Sequence, residues 1–202
     1  MKDITQDGAA APAKLVSMLK YSPKQVILLV VPIVIYPPAG GEGIHTFAFL
    51  DNGSEGSLLR EDMALKVGVR GKPGILDLTT IKDDPEEVPV TDIKGLVVSS
   101  QDNTYQRTID EVSVVSAERF NFPGRKRITD LVDPDLHTHL DGINIDPIHP
   151  NDVTMLIGGN VPEAVFALEM RYGGKGQPLA IKTVFGWTLY GPTGPSPCSG
   201  SN

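Results

Sequence analysis

The amino-acid sequence predicts an all-β fold with one or two short helices. Glycine and proline account for 38 of the 202 residues, about 19%, whereas their average usage is roughly 12%. Such an excess favours many turns and short strands over long helices. The apolar segments are short and rich in valine, isoleucine and threonine, as is typical of strands. Hydrophobic residues make up 40% of the chain, which is enough to build a core.

Two strands and one helix are predicted in the first third of the chain. Residues 25–36 form a continuous apolar segment rich in β-branched residues, and Ile44–Leu50 forms a second. A short helix is predicted over residues 57–67, where apolar residues recur at roughly helical spacing. Ser57 is a suitable N-cap for this helix, and Gly68 is a suitable terminator.

The second half of the chain predicts a hairpin and further short elements. Residues 88–99 and 104–116 have strand-like composition, and Asp102 and Asn103 between them predict a turn. The last predicted elements are a strand at Val153–Ile157, a short helix over residues 162–170, and a strand over residues 180–190 that Gly186 interrupts.

Composition and charge exclude several classes of protein. The single cysteine, Cys198, cannot form an internal disulfide, which excludes a disulfide-stapled secreted scaffold and predicts an intracellular, cytoplasmic location. Cysteine-rich zinc sites are excluded for the same reason. The formal net charge of −7 argues against a dedicated nucleic-acid-binding domain. The longest apolar run, residues 26–36, is shorter than the about 20 residues that a membrane-spanning helix needs, so no membrane partner is expected.

Composition also divides the chain into three parts. Residues 1–24 are rich in small residues and predict a linker or flexible N-terminal segment. Residues 25–192 contain the predicted strands and form one folded domain. Residues 193–202 are rich in glycine, proline and serine and predict a flexible tail, as expected where a domain is cut from a longer chain.

Two glycine-containing segments follow apolar strands and are the main candidates for chemistry. The strand that ends at Leu50 runs directly into Asp51-Asn52-Gly53-Ser54, and a later strand runs into Ile157-Gly158. Asp-x-Gly alone is a weak motif, because Asn-Gly is also the strongest short signal for a plain hairpin turn. The second segment alone could equally be a strand end and a loop.

Together with a third segment, these motifs resemble a known family. The third segment is Pro178-x-Ala180-x-x-Thr183-x-x-Gly186-Trp187-x-Leu189-x-Gly191-Pro192, and His139-Leu140 precedes the second segment. In this order the motifs resemble retropepsin-like aspartic proteases, and more closely the protease domain of BEL/Pao-type LTR retrotransposon polyproteins. The resemblance covers roughly residues 25–192.

The resemblance implies a fold, an activity and a set of site residues. It implies a retropepsin-like closed barrel that hydrolyses peptide bonds of a polyprotein without a metal or a cofactor. Asp51 would be the catalytic carboxylate. The residues that would support its loop are Asn52, Gly53, Ser54, Ile157 and Gly158.

The chemistry of this class requires two carboxylates and therefore a homodimer. Two aspartates must lie close enough to share one proton, so that one acts as base towards water and the other as acid. The chain has a single Asp-x-Gly that follows a strand, since Asp141-Gly142 has no intervening residue and no apolar strand before it. We therefore expect a symmetric dimer with the site on its two-fold axis.

One departure from the family pattern leaves a second function open. The family has serine or threonine after the catalytic aspartate, whereas this chain has Asn52. In retropepsins that hydroxyl joins a hydrogen-bond network between the two aspartate loops, and asparagine has a different geometry. The alternative is a degenerate, non-catalytic retrotransposon-derived domain that acts as an interaction module. A third hypothesis is an unrelated β-barrel binding module, in which Asp51 would not lie against Ile157-Gly158.

Three further features have simpler interpretations. Two histidines and three aspartates between residues 133 and 141 could bind a metal, but a solvated loop is the simpler interpretation. The basic run 124–127, with Arg119 nearby, could touch nucleic acid, which is unlikely for this domain because such runs are usually solvated turns. Phe185 and Trp187 are interpreted as core or dimer-interface aromatics. Residues 75–81, or residues 91–98 with Gly95, are candidates for a flap hairpin over the substrate.

Overall fold

The computed structural model describes residues 26–78, 86–120, 127–133, 135 and 137–193. Several predictions fall outside these residues. They are the linker at residues 1–24, residues 194–202 of the tail (which include Cys198), most of the basic run 124–127, and the end of the flap candidate 75–81.

The described residues form eleven strands and two short α-helices. The strands are β1 Val26–Ile27, β2 Val30–Tyr36, β3 Ile44–Leu50, β4 Ser57–Arg60, β5 Lys72–Leu78, β6 Glu86–Ser99, β7 Gln106–Val115, β8 Val153–Ile157, β9 Glu169–Arg171, β10 Leu179–Thr183 and β11 Gly186–Pro192. The helices are α1 Glu61–Val67 and α2 Pro162–Val165, with 3-10 turns at Ile128–Leu131, Thr138–Leu140 and Pro150–Asp152. The prediction of an all-β fold with one or two short helices is confirmed.

Six strands close into a barrel. Their order is β2-β3-β8-β4-β7-β6, and an additional pairing of β2 with β6 completes the ring. The barrel mixes orientations, since β3–β8 and β4–β7 are parallel pairs and the others are antiparallel. β5 pairs with β6 as a seventh strand outside the ring. The predicted closed barrel is confirmed.

A second sheet packs on the barrel and has the strand order β1-β11-β10-β9. The segment predicted as one strand over residues 180–190 is a hairpin of β10 and β11. Gly186 stands at its turn with φ 116°, a conformation that favours glycine. The two sheets share a core that contains Ile27, Val30 and Leu189.

The predicted helix over residues 57–67 begins later than the sequence indicates. Residues 57–60 form β4, which pairs with β7 and β8, and α1 begins at Glu61. Ser57 is therefore not an N-cap. The prediction that Gly68 ends the helix is confirmed, because Gly68 has φ 72° and its N–H caps the helix carbonyls. The second predicted helix, over residues 162–170, ends at Val165, and the chain continues as extended backbone into β9.

The continuous apolar segment of β2 reflects burial on both sides. Val31, Ile33 and Ile35 face the barrel interior, whereas Val30 packs in the core between the sheets. A strand that is covered on both faces reads as an uninterrupted hydrophobic run. No helix in the part of the chain that the structure describes is long and apolar enough to cross a membrane.

The two flap candidates have different positions. Residues 75–78 lie at the end of β5, which pairs with β6 up to Leu78↔Glu86, so this candidate stands at the end of a hairpin. Residues 91–98 lie in the middle of β6 and are paired along most of their length with β7. That second candidate is wrong, because a strand held in a ladder of hydrogen bonds cannot serve as a mobile hairpin tip.

Candidate active site

The loop of residues 51–56 connects β3 to β4 around the carboxyl end of β8. β8 lies between these two strands, parallel to β3 and antiparallel to β4. The chain leaving β3 must therefore pass over the end of β8 before it can form β4. The structure thereby brings together the two segments that are about 100 residues apart in the sequence.

Asp51 stands at the point where β3 ends. Its backbone N–H donates a hydrogen bond of 3.0 Å to the carbonyl oxygen of Ile157, the last residue of β8. Leu50, which precedes Asp51, is buried, and Ile157 is completely buried. The backbone of Asp51 is thus fixed by the barrel itself, while its side chain is only half-buried.

Both oxygens of the Asp51 carboxylate accept a hydrogen bond from the same loop. The N–H of Gly53 donates to Oδ1 over 3.0 Å, and the hydroxyl of Ser54 donates to Oδ2 over 2.8 Å. The N–H of Ser54 also donates to the Asp51 carbonyl over 3.3 Å, which closes a tight turn. These bonds hold the carboxylate in one orientation. A group that takes up a proton during a reaction needs such a fixed orientation.

The loop can follow this path because Gly158 has no side chain. A Cβ at Gly158 would lie far inside van der Waals distance of the Gly56 carbonyl oxygen and 2.7 Å from the Ser54 carbonyl oxygen. The N–H of Gly159 donates to the same Ser54 carbonyl over 2.7 Å. Gly158 thus lets the end of β8 contact the aspartate loop backbone to backbone.

A polar clamp completes this junction and was not predicted from the sequence. Ser57, which is buried, donates through its hydroxyl to Oδ1 of Asn160 over 2.7 Å and accepts from the N–H of Gly158 over 3.2 Å. The amide of Asn160 donates in turn to the Glu111 carbonyl over 3.3 Å. The sequence signal was present, because Asn160 stands only two residues after Gly158 of the late motif.

Asn52 has a different environment from the rest of the loop. It is exposed, and its side chain has no hydrogen-bond partner among the residues that the structure describes. Gly53 is exposed as well and lies close to the carboxylate, since a Cβ there would be 3.3 Å from Oδ1 of Asp51. Asn52 therefore does not orient Asp51 within one chain. All six predicted site residues lie in this one junction, and their roles stay a prediction.

α2 continues directly from the junction and is anchored by a polar contact. The hydroxyl of Tyr105 donates to Glu163 over 3.0 Å, and Arg107 lies 3.4 Å from the same carboxylate. Burial, and then this hydrogen bond, raise the pKa of Tyr105 to about 12. The ring of Tyr105 also packs edge-on against Phe185, which is buried in the core.

The histidine cluster is organised by backbone contacts. Nδ1 of His137 lies 2.8 Å from the Asp133 carbonyl, and Nε2 of His139 lies 2.9 Å from the Pro178 carbonyl. Within the described residues, no group of three or more histidine, cysteine or acidic side chains is placed to hold a metal ion. The His-x-His segment belongs to a 3-10 turn and not to a strand.

No family model and no curated protein sequence matches the chain. Among solved structures, it is similar to the retroviral protease-like domain of Ddi1 from Leishmania major. The sequences are 14% identical, the match covers 82% of this chain and 95% of that chain, and the TM-score is 0.37. A similarity of this size identifies neither a family nor an activity. The BEL/Pao-type origin stays a prediction.

Proposed function

We propose that this chain is an aspartic-type endopeptidase that works as a homodimer and processes a polyprotein. The observation that supports this function best is the geometry of Asp51. Its backbone is bonded to Ile157, and its carboxylate oxygens are bonded to Gly53 and Ser54. A rigid strand end thus presents one oriented, partly exposed carboxylate, which is half of what peptide hydrolysis by a carboxylate pair needs.

The second carboxylate would come from a second copy of the chain. No hydrogen bond joins Asp51 to another carboxyl group among the described residues. With two copies on a two-fold axis, two equivalent aspartates would share one proton, because like charges about 3 Å apart cannot both ionise. The ionised aspartate takes a proton from water, and the protonated one donates to the substrate.

A non-catalytic interaction module is the second candidate, and Asn52 is the observation that favours it. The exposed Asn52 side chain replaces a hydroxyl that joins the two aspartate loops in the family it resembles. The third hypothesis, an unrelated β-barrel binding module, required that Asp51 lie away from Ile157-Gly158. The hydrogen bond of 3.0 Å between Asp51 and Ile157 disfavours it.

Hydrolysis of an acidic-pH peptide library, with and without pepstatin, tests the proposal. We expect cleavage that pepstatin inhibits, with a specific activity that rises with protein concentration as dimers form. Activity strictly linear in protein, together with a monomeric mass, would exclude the shared site. A stable dimer without cleavage would favour the interaction module.

Replacing Asn52 with threonine is expected to raise any hydrolytic activity by about fivefold, the effect of one additional hydrogen bond between the two loops. Because the Asn52 side chain has no hydrogen-bond partner among the described residues, the thermal stability of the monomer should not change. The measurement is kcat/KM against a cleaved library peptide. Unchanged kcat/KM would show that this position does not contribute to a shared network.

Replacing Ser54 with alanine is expected to lower kcat/KM by about tenfold, because it removes a hydrogen bond to a charged carboxylate. The neighbouring Glu55 is exposed, and Glu55→Ala is the matched control within the same loop. Equal activity of both variants would mean that the orientation of Oδ2 does not matter for the reaction.

A further inference from the structure

The aspartate loop contains the only Asn-Gly pair in the sequence, Asn52-Gly53. Asparagine is one of the thermally labile residues of proteins. It is lost when the backbone nitrogen of the next residue attacks its side-chain amide carbon. Glycine at the next position hinders this attack least, because it has no side chain. Asn52 and Gly53 are both exposed, so the loop leaves room for such a reaction.

The Asn52 side chain is free to be attacked. It has no hydrogen-bond partner among the described residues, so it can rotate towards the Gly53 nitrogen without losing a bond. The attack also requires the Asn52 backbone to leave its turn. The main-chain hydrogen bond that closes this turn, from Ser54 to Asp51, is 3.3 Å long, beyond the usual range of about 2.7–3.2 Å. Little therefore opposes the opening of the turn.

The Gly53 nitrogen already has a proton acceptor. Its N–H donates to Oδ1 of Asp51 over 3.0 Å. An amide nitrogen can attack only as its proton leaves, and a carboxylate within hydrogen-bond reach of that proton can act as the general base. The loop thus combines a free side-chain amide, an unhindered nitrogen and an oriented carboxylate.

A second Asp-Asn turn in the described residues has the carboxylate but lacks the other two features. The N–H of Thr104 donates to Oδ1 of Asp102 over 3.1 Å, which is the same contact one turn later. Oδ1 of Asn103, however, accepts from the hydroxyls of Tyr36 and Ser99, both over 3.0 Å. The residue after Asn103 is a β-branched threonine, which crowds its own nitrogen. This turn is therefore an internal control for the aspartate loop.

We propose that Asn52 is a site of spontaneous deamidation in which Asp51 acts as the general base. The Gly53 nitrogen forms a bond to Cγ of Asn52 while its proton passes to Oδ1 of Asp51. The bond between Cγ and Nδ2 then breaks, the leaving nitrogen takes up the proton, and ammonia departs. Water opens the resulting succinimide ring at either carbonyl and leaves aspartate or isoaspartate at position 52.

The reaction would alter the candidate active site itself. Aspartate at position 52 adds a like charge next to the Asp51 carboxylate. Isoaspartate lengthens the main chain before Gly53 by one carbon, which displaces the Gly53 N–H and the Ser54 hydroxyl from the carboxylate oxygens that they hold. Either product limits the lifetime of the oriented carboxylate. The reaction needs no second copy of the chain and no peptide substrate, so it is independent of the proposed function.

Peptide mapping tests this site without reference to activity. The folded protein is kept at neutral pH in water labelled with heavy oxygen, so that only product formed before digestion carries the label. The solution is dilute, because the proposed dimer would cover Asn52. Trypsin cuts after lysine and arginine, so residues 25–60 contain Asn52 as their only asparagine, and residues 95–107 contain Asn103 as theirs. We expect labelled aspartate and isoaspartate in the first peptide and unchanged Asn103 in the second. An intact Asn52 would overturn the proposal.

Asp51→Asn tests the role of the carboxylate. The new side chain can still accept from Gly53 through its carbonyl oxygen, but it cannot take up the proton. Conversion of Asn52 should slow by about a hundredfold, the lower end of what a positioned base contributes. Asp110→Asn, at an exposed carboxylate of β7 outside the loop, is the matched control and should leave the rate unchanged. Equal or faster conversion in Asp51→Asn would overturn the role of Asp51 and mean that its hydrogen bond protects the loop.

Conversion of Asn52 and hydrolysis of peptides are separate readouts. Labelled product in a protein that never hydrolyses peptides would support the modification and overturn the protease. Hydrolysis by a protein whose Asn52 stays intact would overturn the modification and leave the protease. If both occur, wild-type activity should fall during the incubation in step with the labelled fraction, whereas Asn52→Thr should keep its activity.

Discussion

Asp51→Asn is expected to abolish peptide hydrolysis, with a loss of roughly 10²–10⁴-fold in kcat. Asparagine keeps the size of the side chain, and its carbonyl oxygen can still accept from the N–H of Gly53. Its NH2 group can donate to the Ser54 hydroxyl, which can accept as well as donate. It cannot take a proton from water or pass one to the substrate. The substitution therefore removes the chemistry and preserves the shape of the loop. The measurement is turnover of a single peptide at the pH where the wild-type protein is most active.

Asp110→Asn is the matched control for this variant. Asp110 is an exposed carboxylate on β7, so the same change there should leave turnover, dimer mass and thermal unfolding unchanged. Asp51→Asn should leave the dimer mass unchanged too. If Asp51→Asn and the wild-type protein hydrolyse peptides at the same rate, the assignment of Asp51 as the catalytic residue is wrong.

Mixed dimers extend this test to the shared site. When wild-type and Asp51→Asn chains are mixed in equal amounts and exchange freely, only about one quarter of the dimers contain two Asp51 residues. The activity per wild-type chain should then fall by about half. An unchanged activity per wild-type chain would mean that each chain works alone, whatever the result of the single-variant assay.

The barrel could be predicted from the sequence because its strands have strong local signals. β2 is an apolar run, β8 is apolar except for Thr154, and both are buried on both sides. β3 ends on the aspartate loop that the motif indicates. The hairpin of β6 and β7 followed from the turn residues between them. These elements are determined by burial and by turn chemistry, and both are visible in a single sequence.

Other elements depend on contacts that no local pattern reveals. The segment that begins at Ser57 has leucines at helical spacing, yet pairing with β7 and β8 makes it a strand. The Ser57 hydroxyl bonds to Asn160, which lies 103 residues later in the sequence. Phe166 and Leu168 read as the end of a helix, yet both are exposed residues of the segment between α2 and β9. In both places tertiary pairing overrides a weak helical propensity.

Gly158→Ala is expected to destabilise the folded protein by about 1–3 kcal/mol, the typical cost of forcing extra atoms into a packed site. The new methyl group would collide with the carbonyl oxygens of Gly56 and Ser54. These are backbone atoms of the aspartate loop, so they cannot rotate away as a flexible side chain would. The measurement is the midpoint of urea unfolding at constant slope.

The control is Gly56→Ala in the same loop, where a Cβ would meet nothing within 4 Å. Neither glycine has a positive φ, so the pair isolates lack of space at Gly158 from backbone strain. Because Asp51 is bonded to Ile157 next to Gly158, Gly158→Ala should also reduce hydrolysis more than its loss of folded protein explains. Equal stability and activity of the two variants would mean that the loop can move off the end of β8, and the orientation of Asp51 would then have to be fixed by the second copy.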